Sequence, residues 1–409
     1  MKIISLEVGF PPELASGRLP YEFSCELVRR GHKVTVVTVF PRRYLISEKT
    51  RSHKSGFFYW DTVNGIGVMR VQPEFSRTAI WARAVEYFVV PMSLFLGGLL
   101  AGKSDIVLCG SPPLFAAFAG CLLGKIRRVP VIFRLQDIHP DALVKLGILR
   151  NSLLISSLEL VEKFIYKSVS GMTVISEGCM KLVLSKGVQR KKIELVPNWA
   201  DVESIKPLGK TNEFKHEYGL SDKFVVTYAG IMSWPQDLET LVESADLLRD
   251  LNDIQFLLVG QGEQERLLKE KVRKLKLKNV KFLPLQPKET YFEILRGSDV
   301  CLVSLKRSYT SPTVPSKILD IMACSKPIIA NVPEESDVRA IVEKANCGIW
   351  VEPENPEEFK QVVLTLYKNP KLREELGKRG RGYVETRLSL AACVDQYEGL
   401  ISGVLQSRH

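Results

Sequence analysis

The sequence predicts an α/β protein made of two doubly wound parallel sheets in tandem. Short apolar runs of strand length alternate with amphipathic helical patterns over almost all of the 409 residues. Strands separated by helices form right-handed βαβ units, and such units build parallel sheets that are covered on both faces. A chain of this length is too long for one core and fits two domains of ordinary size.

The first domain is expected over residues 1–205. Its predicted strands, in chain order, are KIISLEV, KVTVVTV, DIVLCG, VPVIFRL, GMTVIS and IELVPN. An amphipathic helix is expected at Tyr21–Arg30, and Gly31 ends it. The helical pattern in residues 389–409, which no strand follows, is expected to complete this domain.

The second domain is expected over residues 206–388. A polar stretch without a long apolar run, residues 204–222, separates it from the first domain. Its predicted strands are KFVVTYAG, IQFLLVG, VKFLP, DVCLVSL, PIIA and GIWVEP. The helical patterns between them predict a second doubly wound sheet.

Charge is distributed unevenly between the two domains. The chain has a net charge of +11, and residues 1–205 contain 27 basic and 17 acidic residues. This excess favours an anionic partner such as phosphate, acidic lipid or nucleic acid, although a charge that serves only solubility is the alternative. The basic residues are dispersed and not interleaved with aromatic ones, which argues against nucleic acid.

Cysteine usage and hydropathy predict a cytoplasmic protein. None of the eight cysteines forms a C-x-x-C pair, which indicates buried thiols in a reducing compartment. The first apolar run is too short for a signal peptide, and no stretch reaches the roughly 20 apolar residues that span a bilayer. Residues 88–101, flanked by Arg83 and Lys103, fit either a buried helix or an interfacial segment on the inner face of the cell membrane.

Two loops of the first domain are candidates for function, because ligands of doubly wound sheets bind at the carboxyl ends of the strands. The loop after the first strand contains Ser16 and Gly17, and a glycine there lets the backbone approach an anion. Turn chemistry alone explains this loop equally well. The loop after VPVIF contains Asp137, His139 and Asp141. A histidine in this position can hydrogen-bond a substrate hydroxyl, whereas a lone histidine is usually structural.

The second domain contains the most informative loop, SPTVPSKILD at residues 311–320. Ser316 is expected near the N-cap of a helix over 316–323, which would leave amides free for a phosphate. Lys317 adds a positive charge, and Asp320 lies about one turn further, where a carboxylate can hold a ribose diol. This pattern predicts a nucleoside-diphosphate site, with an ordinary capped helix as the alternative.

Two further strand ends contain candidate functional residues. Asn198 lies in VPNWAD, where a tight turn is a sufficient explanation, and Gly230 ends VTYAG, where it allows a ligand near the backbone. By contrast, Gly260 and Gly262 in LLVGQG lack the third glycine of the dinucleotide fingerprint, because Glu265 stands in its place. This argues against an NAD enzyme.

The ordered set of motifs resembles family four of the glycosyltransferases, which are retaining enzymes with the GT-B fold. It comprises FPPELASGR, RRGHKVTVVT, DIHPD, VPNWAD, VTYAG, DLETLVESADLL, LLVGQGEQERLL, VKFLP and VPSKILDIMACSKPIIA. The resemblance covers nearly the whole chain and is greatest to members with a P-S-K-x-x-[DE] loop that build surface polysaccharides. It implies two Rossmann-like domains with an interdomain cleft that binds the donor.

The resemblance also implies the reaction. A hexose or amino sugar would pass from a nucleoside-diphosphate sugar to an acceptor hydroxyl, with retention and without an obligatory metal or other cofactor. Many such acceptors are linked to polyprenyl diphosphate at the membrane. The implied partners are therefore the sugar nucleotide, a lipid-linked acceptor and an anionic membrane surface, with no nucleic acid.

The resemblance assigns roles by position. His139 resembles the family histidine that contacts the transferred sugar, Lys317 belongs to the diphosphate loop, and Asp320 is the acid that holds the ribose. The expected catalytic residues are His139, Asp137 and Lys317. The expected donor-binding residues are Ser16, Gly17, Asn198, Gly230, Ser316, Lys317 and Asp320. No metal ligands are expected.

Two positions depart from the family pattern. The family often has two glutamates with seven residues between them, but here Asp320 takes the second position and Pro312 stands at the first. Arg and Lys often follow the glycine that corresponds to Gly230, whereas Ile231 and Gln236 occupy that region here. Lys317 would therefore carry more of the diphosphate charge.

Two other function classes stay open. A sugar-nucleotide epimerase can share the architecture, but it would turn over the donor without an acceptor. A non-catalytic nucleotide- or nucleic-acid-binding module would use the basic first half of the chain.

Overall fold

The computed structural model describes residues 1–12, 14–40, 57–71, 80–145, 147, 149–207 and 213–407, without the side chains of residues 14–16 and 80–88. The chain divides into two compact units, residues 1–197 with 390–409 and residues 198–389. The boundary between the first unit and the second lies after Pro197, eight residues before the boundary expected at residue 205. We describe each unit by itself, and the interdomain cleft stays a prediction.

The first unit is built on an eight-stranded sheet. Its strands are β1 Lys2–Glu7, β2 Lys33–Val39, β3 Phe58–Val63, β4 Ile66–Val71, β5 Ile106–Ser111, β6 Val131–Leu135, β7 Gly171–Val174 and β8 Ile193–Leu195. Their order is β3-β4-β2-β1-β5-β6-β7-β8, and only the β3–β4 pair is antiparallel among them. The order switches direction at β1, which lies between β2 and β5. Ligands of doubly wound sheets bind at such a switch point.

The six expected strands of this unit are confirmed, and the β3–β4 hairpin was missed. Its two-residue turn is Asn64–Gly65, with φ values of 49° and 78°. Asn-Gly is the preferred pair where both turn residues need positive φ. The signal was therefore present in the sequence, in DTVNGIGV.

Within the described ranges, six helices of the first unit precede β8: α1 Leu14–Arg29, α2 Ile80–Leu100, α3 Leu114–Arg127, α4 Asp141–Lys145, α5 Ser152–Ser168 and α6 Glu177–Ser185. In this unit α3 packs between α2 and α5. The close contact of α2 with α3 requires glycine, since a Cβ at Gly98 would lie 2.6 Å from Leu123 Cδ2.

Helix α2 contains the apolar segment 88–101 and has two different sides. Val90 and Leu94 are buried, whereas Met92, Leu96 and Leu100 are exposed. The segment is therefore partly a core helix and partly an apolar surface. Among the residues that the structure describes, no helix combines the length and the apolar character needed to cross a membrane.

The second unit is built on a six-stranded parallel sheet. Its strands are β9 Phe224–Ala229, β10 Ile254–Val259, β11 Val280–Leu283, β12 Val300–Ser304, β13 Ile328–Asn331 and β14 Gly348–Val351, in the order β11-β10-β9-β12-β13-β14. All six strands were expected. Alternate residues of β9 enter two separate hydrophobic clusters, Val225 on one face of the sheet and Val226 on the other. The direction of strand order changes between β9 and β12.

Eight helices cover this sheet: α7 Glu213–Glu217, α8 Glu239–Leu247, α9 Glu265–Leu275, α10 Lys288–Gly297, α11 Lys317–Ala323, α12 Asp337–Ala345, α13 Pro356–Lys368 and α14 Pro370–Arg387. Helices α13 and α14 were not anticipated from the sequence. Both begin at a proline that follows an asparagine, Asn355 and Asn369, a combination that marks helix starts.

The last helix, α15 Leu390–Gln406, returns to the first unit. Arg30, which directly follows α1, donates to Asp395 and Glu398 of α15 at 2.5 and 2.6 Å. The ring centroids of Phe23 and Tyr397 lie 4.7 Å apart. Ionic and aromatic contacts therefore join α15 to α1.

The loops after β9 and β10 meet through glycine backbones. Gly260 has a φ of 140°, and a Cβ there would lie 1.9 Å from the carbonyl oxygen of Gly230. The conformation and the lack of space both require glycine. This contact explains the glycines of LLVGQG without a bound dinucleotide.

We predict that Gly260→Ala destabilises the protein by about 3 kcal/mol or more, because the methyl group must displace backbone. Gly382→Ala in α14 is the matched control. A Cβ at Gly382 meets no atom within 4 Å, so this change should stabilise the protein by about 0.5–1 kcal/mol. Urea unfolding of both variants tests the contrast, and equal midpoints for Gly260→Ala and the wild type would contradict it.

Candidate functional site

The carboxyl edge of the second sheet places Gly230, Tyr228 and Lys317 together. Lys317 begins α11, and its Nζ lies 3.8 Å from the ring centroid of Tyr228. A Cβ at Gly230, which follows β9 with a φ of 149°, would lie 2.8 Å from that nitrogen. The Tyr228 hydroxyl donates to the carbonyl of Ile231 at 2.6 Å. Gly230 therefore leaves the space that Lys317 occupies.

Lys317 is a half-buried cation that forms no ion pair within the described part of the chain. Burial lowers the pKa of its ammonium to about 7. The aromatic ring beneath it is an attractive but weak partner. An ammonium that is desolvated and lacks a carboxylate is well suited to pair with an anionic ligand.

The start of α11 differs from the expectation of free amides. The side chain of Ser316 is exposed and makes no capping hydrogen bond. The amides of Ile318 and Leu319 donate to the carbonyls of Pro315 and Ser316 at 3.1 and 3.0 Å. Tight i to i−3 turns of this kind satisfy the amides that would otherwise point outward. Two of the expected amides are therefore occupied, and Lys317 supplies the charged side chain of this segment.

Asp320 lies one turn further along α11 and is buried, with 4% of its surface exposed. The hydroxyl of Tyr291, in α10, donates to its Oδ2 at 3.3 Å. A ligand would meet a carboxylate that is already held in place by a tyrosine. The sequence predicted Asp320 and missed both Tyr228 and Tyr291, since a tyrosine in an apolar strand or helix is usually a core residue.

The loop after β9, residues 231–237, ends in a buried carboxylate, that of Asp237. Its Oδ2 accepts hydrogen bonds from Thr240 Oγ1 at 2.7 Å, Asn331 Nδ2 at 2.9 Å and the Glu354 amide at 2.8 Å. Three segments at the same edge of the sheet are thereby joined. Asp237 was not anticipated, because its partners are distant in sequence.

In the first unit, Asp137 and His139 lie in the loop after β6, and both are half-buried. The Nδ1 of His139 is buried and has no hydrogen-bond partner within the described residues. Burial lowers the pKa of His139, against the opposing effect of Asp137 and Asp141. Burial also raises the pKa of Asp137, which the histidine partly offsets. The imidazole is therefore favoured in its neutral form, with one unsatisfied nitrogen.

A buried ionic cluster holds this loop. Lys186 Nζ donates to Asp141 Oδ2 at 2.5 Å and to the buried Glu162 at 2.7 Å. The hydroxyl of Tyr166 donates to Glu162 at 2.8 Å. Because Asp141 lies two residues after His139, this cluster restricts the position of the imidazole.

A buried ion pair joins β1 to β6 at the switch point of the first sheet. Arg134 donates to Glu7, and only 6% and 5% of their surfaces are exposed. Ser5 Oγ donates to the same carboxylate at 2.5 Å, and the guanidinium lies 5.1 Å from the ring centroid of Phe23. This ion pair was not predicted from the sequence, because Glu7 and Arg134 each look like a polar residue of an ordinary strand.

The remaining predicted residues contribute less. A Cβ at Gly17 would lie 2.9 Å from the backbone of Phe10, so close packing of α1 on its own loop explains this glycine. The side chain of Ser16 lies outside the described residues. Asn198 is buried, with 7% of its surface exposed, and belongs to the second unit. Of the nine candidates, the structure brings Gly230 and Lys317 into direct contact.

Comparisons with known proteins agree with this architecture. Residues 17–199 match the family described as Glycosyl transferase 4-like domain, and residues 210–383 match Glycosyl transferases group 1. The putative colanic acid biosynthesis glycosyl transferase WcaI of Escherichia coli (strain K12) is 25% identical over 389 residues, which are 91% of this chain and 95% of that protein. The alpha-D-kanosaminyltransferase of Streptomyces kanamyceticus is 27% identical over 198 residues, or 46% of this chain and 48% of the relative.

Solved structures share the fold. HepE of Anabaena, crystallised in complex with UDP, superposes with a TM-score of 0.76 at 15% identity, covering 98% of this chain and all of HepE. Sucrose-phosphate synthase of Thermosynechococcus elongatus has a TM-score of 0.75 at 17% identity, with both chains fully covered. The matched families together span most of the sequence, and the two parallel sheets are those of the GT-B fold. The chain therefore belongs to family four of the glycosyltransferases.

Proposed function

We propose that the protein transfers a hexose or amino sugar from a nucleoside-diphosphate sugar to an acceptor hydroxyl, with retention at the anomeric carbon. The ammonium of Lys317 beside Gly230, which has no ion-pair partner among the described side chains, carries this proposal, since it offers a positive charge where the family binds its donor. HepE, which shares the fold, was solved with UDP and with UDP-glucose. WcaI, named for colanic acid biosynthesis, supports a role in polysaccharide synthesis.

In the proposed reaction, the acceptor oxygen forms a bond to the anomeric carbon on the face from which the diphosphate departs. The bond between that carbon and the phosphate oxygen breaks, and its electron pair leaves with the nucleoside diphosphate. The acceptor proton passes to the leaving phosphate, so no enzymatic nucleophile or metal is required. Lys317 stabilises the charge that develops on the leaving group.

The other candidates have supporting roles in this proposal. Gly230, Ser316 and Asn198 line the donor site, and Asp320 holds the ribose diol while Tyr291 orients its carboxylate. Ser16 and Gly17 belong to the loop that closes over phosphate and acceptor.

The catalytic loop of the first unit acts on the transferred sugar. His139, in the neutral form that burial favours, hydrogen-bonds a hydroxyl of that sugar. Asp137 orients the imidazole and limits its loss of a proton.

A donor screen tests the proposal directly. Purified protein is incubated with nucleoside-diphosphate sugars, with and without polyprenyl-diphosphate-linked saccharides, and release of the nucleoside diphosphate is measured. Release that needs the acceptor supports a transferase, whereas acceptor-independent conversion of the donor supports the epimerase alternative. EDTA should leave the rate unchanged.

We predict that Asp320→Ala weakens donor binding at least tenfold in calorimetry, because it removes a charge-assisted pair of hydrogen bonds worth about 1.5–3 kcal/mol.

We predict that Lys317→Ala lowers kcat more than Asp320→Ala does, on the order of a hundredfold, because the charge of Lys317 matters most in the transition state. Lys344→Ala, an exposed lysine of α12, is the control and should have normal kinetics. Full turnover of Lys317→Ala would remove that residue from the site.

The low pKa of Lys317 predicts pH-dependent donor binding. Its ammonium loses the proton as pH rises through about 7, and only the charged form pairs with a diphosphate. Affinity should therefore be greatest below pH 7 and fall by about tenfold per pH unit above it. Lys317→Arg stays charged and should show a flat profile. Calorimetry with a sugar nucleotide should also detect proton uptake at pH 8, and its absence in the wild type would contradict the prediction.

We further propose a cytoplasmic protein that binds the inner face of the cell membrane through the first unit. Nearly half of the large apolar residues exposed in the described chain lie on α2, α3 and α5, which pack side by side. They are Met92, Leu96, Leu99, Leu100, Ile126, Leu153, Leu154, Leu160 and Phe164. Among the described side chains of these helices, three exposed lysines, Lys125, Lys163 and Lys167, accompany one exposed acid, Glu159. Arg77 lies outside the described residues, and of Arg83 only the backbone is described.

We predict that binding to sedimented vesicles rises with anionic lipid and falls with salt. Replacing Leu96, Leu153 and Leu160 by serine should lower the bound fraction at least tenfold, because each apolar side chain contributes about 1.5 kcal/mol when buried. The control replaces Leu247 and Leu267, which are exposed in the second unit. Equal recovery with neutral and anionic vesicles at low salt would contradict membrane binding but not sugar transfer.

A further inference from the structure

The loop after β9, residues 231–237, is held rigidly along its length. The amide of Met232 donates to the carbonyl of Gln261 at 2.9 Å, and the Gln264 amide donates back to Met232 at 3.1 Å. The buried side chain of Gln264 donates to the carbonyls of Ser233 and Gln236 at 2.5 and 2.9 Å. Hydrogen bonds therefore hold the loop backbone at Met232, Ser233 and Gln236.

This rigid loop exposes two large apolar side chains. Met232 is fully buried, whereas Ile231 and Trp234 each have 52% of their surface exposed. An indole held outward beside a candidate site offers a large apolar contact area to a ligand.

A cation accompanies the indole. Lys306 follows β12, on the other side of the switch in strand order, and its Nζ lies 5.5 Å from the Trp234 ring centroid. Its amide donates to the carbonyl of Pro235 at 2.8 Å, which joins the two loops. In the part of the chain that the structure describes, Lys306 forms no ion pair. The indole and an uncompensated positive charge thus share one surface.

We propose that Trp234 and Lys306 form a binding surface for a sugar ring joined to a phosphate. The apolar C–H face of a pyranose packs against the indole, and the phosphate pairs with the ammonium. The inference rests on the proposed function for the identity of its ligand. Two sources share this chemistry, the sugar diphosphate of the nucleotide donor and that of a lipid-linked acceptor.

Fluorine NMR of the full chain labelled with 5-fluorotryptophan tests the surface. The chain has five tryptophans, and Trp234→Phe assigns the resonance of Trp234. Titration with glucose, galactose, mannose and N-acetylglucosamine 1-phosphates should shift this resonance and leave that of Trp60 unchanged. Trp60 is the internal control, because it is 50% exposed on β3 of the first unit. If no sugar phosphate shifts the Trp234 resonance, the proposal is wrong.

Competition separates the two sources. If saturating UDP-glucose or another donor found in the screen abolishes the response to sugar phosphates, the surface binds the donor sugar. If the response persists with the donor bound, the surface binds the acceptor. Both results support a sugar-phosphate surface, and each assigns it to one substrate.

Variants give a second readout. Trp234→Ala should raise the KM of the assigned substrate about tenfold with little change in kcat, and Trp234→Phe should stay within about threefold of the wild type. Lys306→Gln should abolish the preference for glucose 1-phosphate over glucose. Trp60→Ala is the control for loss of an exposed indole. A KM that is unchanged in Trp234→Ala, in an enzyme that turns over its donor, overturns the surface and leaves the transferase assignment intact. If sugar phosphates shift the Trp234 resonance but the protein turns over no donor, the transferase assignment is overturned and the sugar-phosphate surface stands.

Discussion

The buried carboxylate of Asp237 is the interaction on which the active edge of the second unit depends. Among the residues that the structure describes, the three hydrogen bonds that it accepts all come from neutral groups. A buried carboxylate is tolerated only when its oxygens are satisfied in this way. Because its donors come from the start of α8, the end of β13 and the loop before α13, the loops beside Gly230 are fixed before any ligand arrives. Such preorganisation lets a flexible lysine act from a rigid surface.

Lys317 differs from other buried or half-buried cations, including Lys215 of its own unit, which pairs with Asp299. In the first unit, Arg134 pairs with Glu7 and Lys186 pairs with Glu162, so each buried cation has a carboxylate within hydrogen-bonding distance. These pairs hold strand ends and loops in place. In the second unit, Lys317 has an aromatic ring instead of a carboxylate. In the function that we propose, the diphosphate of the donor supplies the negative charge at this position.

Much of the fold could be predicted from the sequence, because strand and helix periods are local properties. The two parallel sheets followed from such patterns. The β3–β4 hairpin was missed because its strands are half exposed and only Asn64–Gly65 marks its turn. The candidate site was predicted in part: Lys317, Gly230 and Asp320 stand in recognisable loops. Asp237, Tyr228 and Tyr291 could not be found in this way, since their roles depend on partners such as Glu354 that lie 117 residues away.

The return of α15 to the first unit has a consequence for synthesis. Arg30 and Phe23 obtain their partners Asp395, Glu398 and Tyr397 only after some 360 further residues have been made. The first sheet can form on the ribosome, but one of its covering helices arrives last. At the usual rate of about 5–20 residues per second, the side of α1 that contains Phe23 stays uncovered by α15 for tens of seconds in the nascent chain. During that interval it is a surface that chaperones can recognise, and the second unit completes its own core before the first one does.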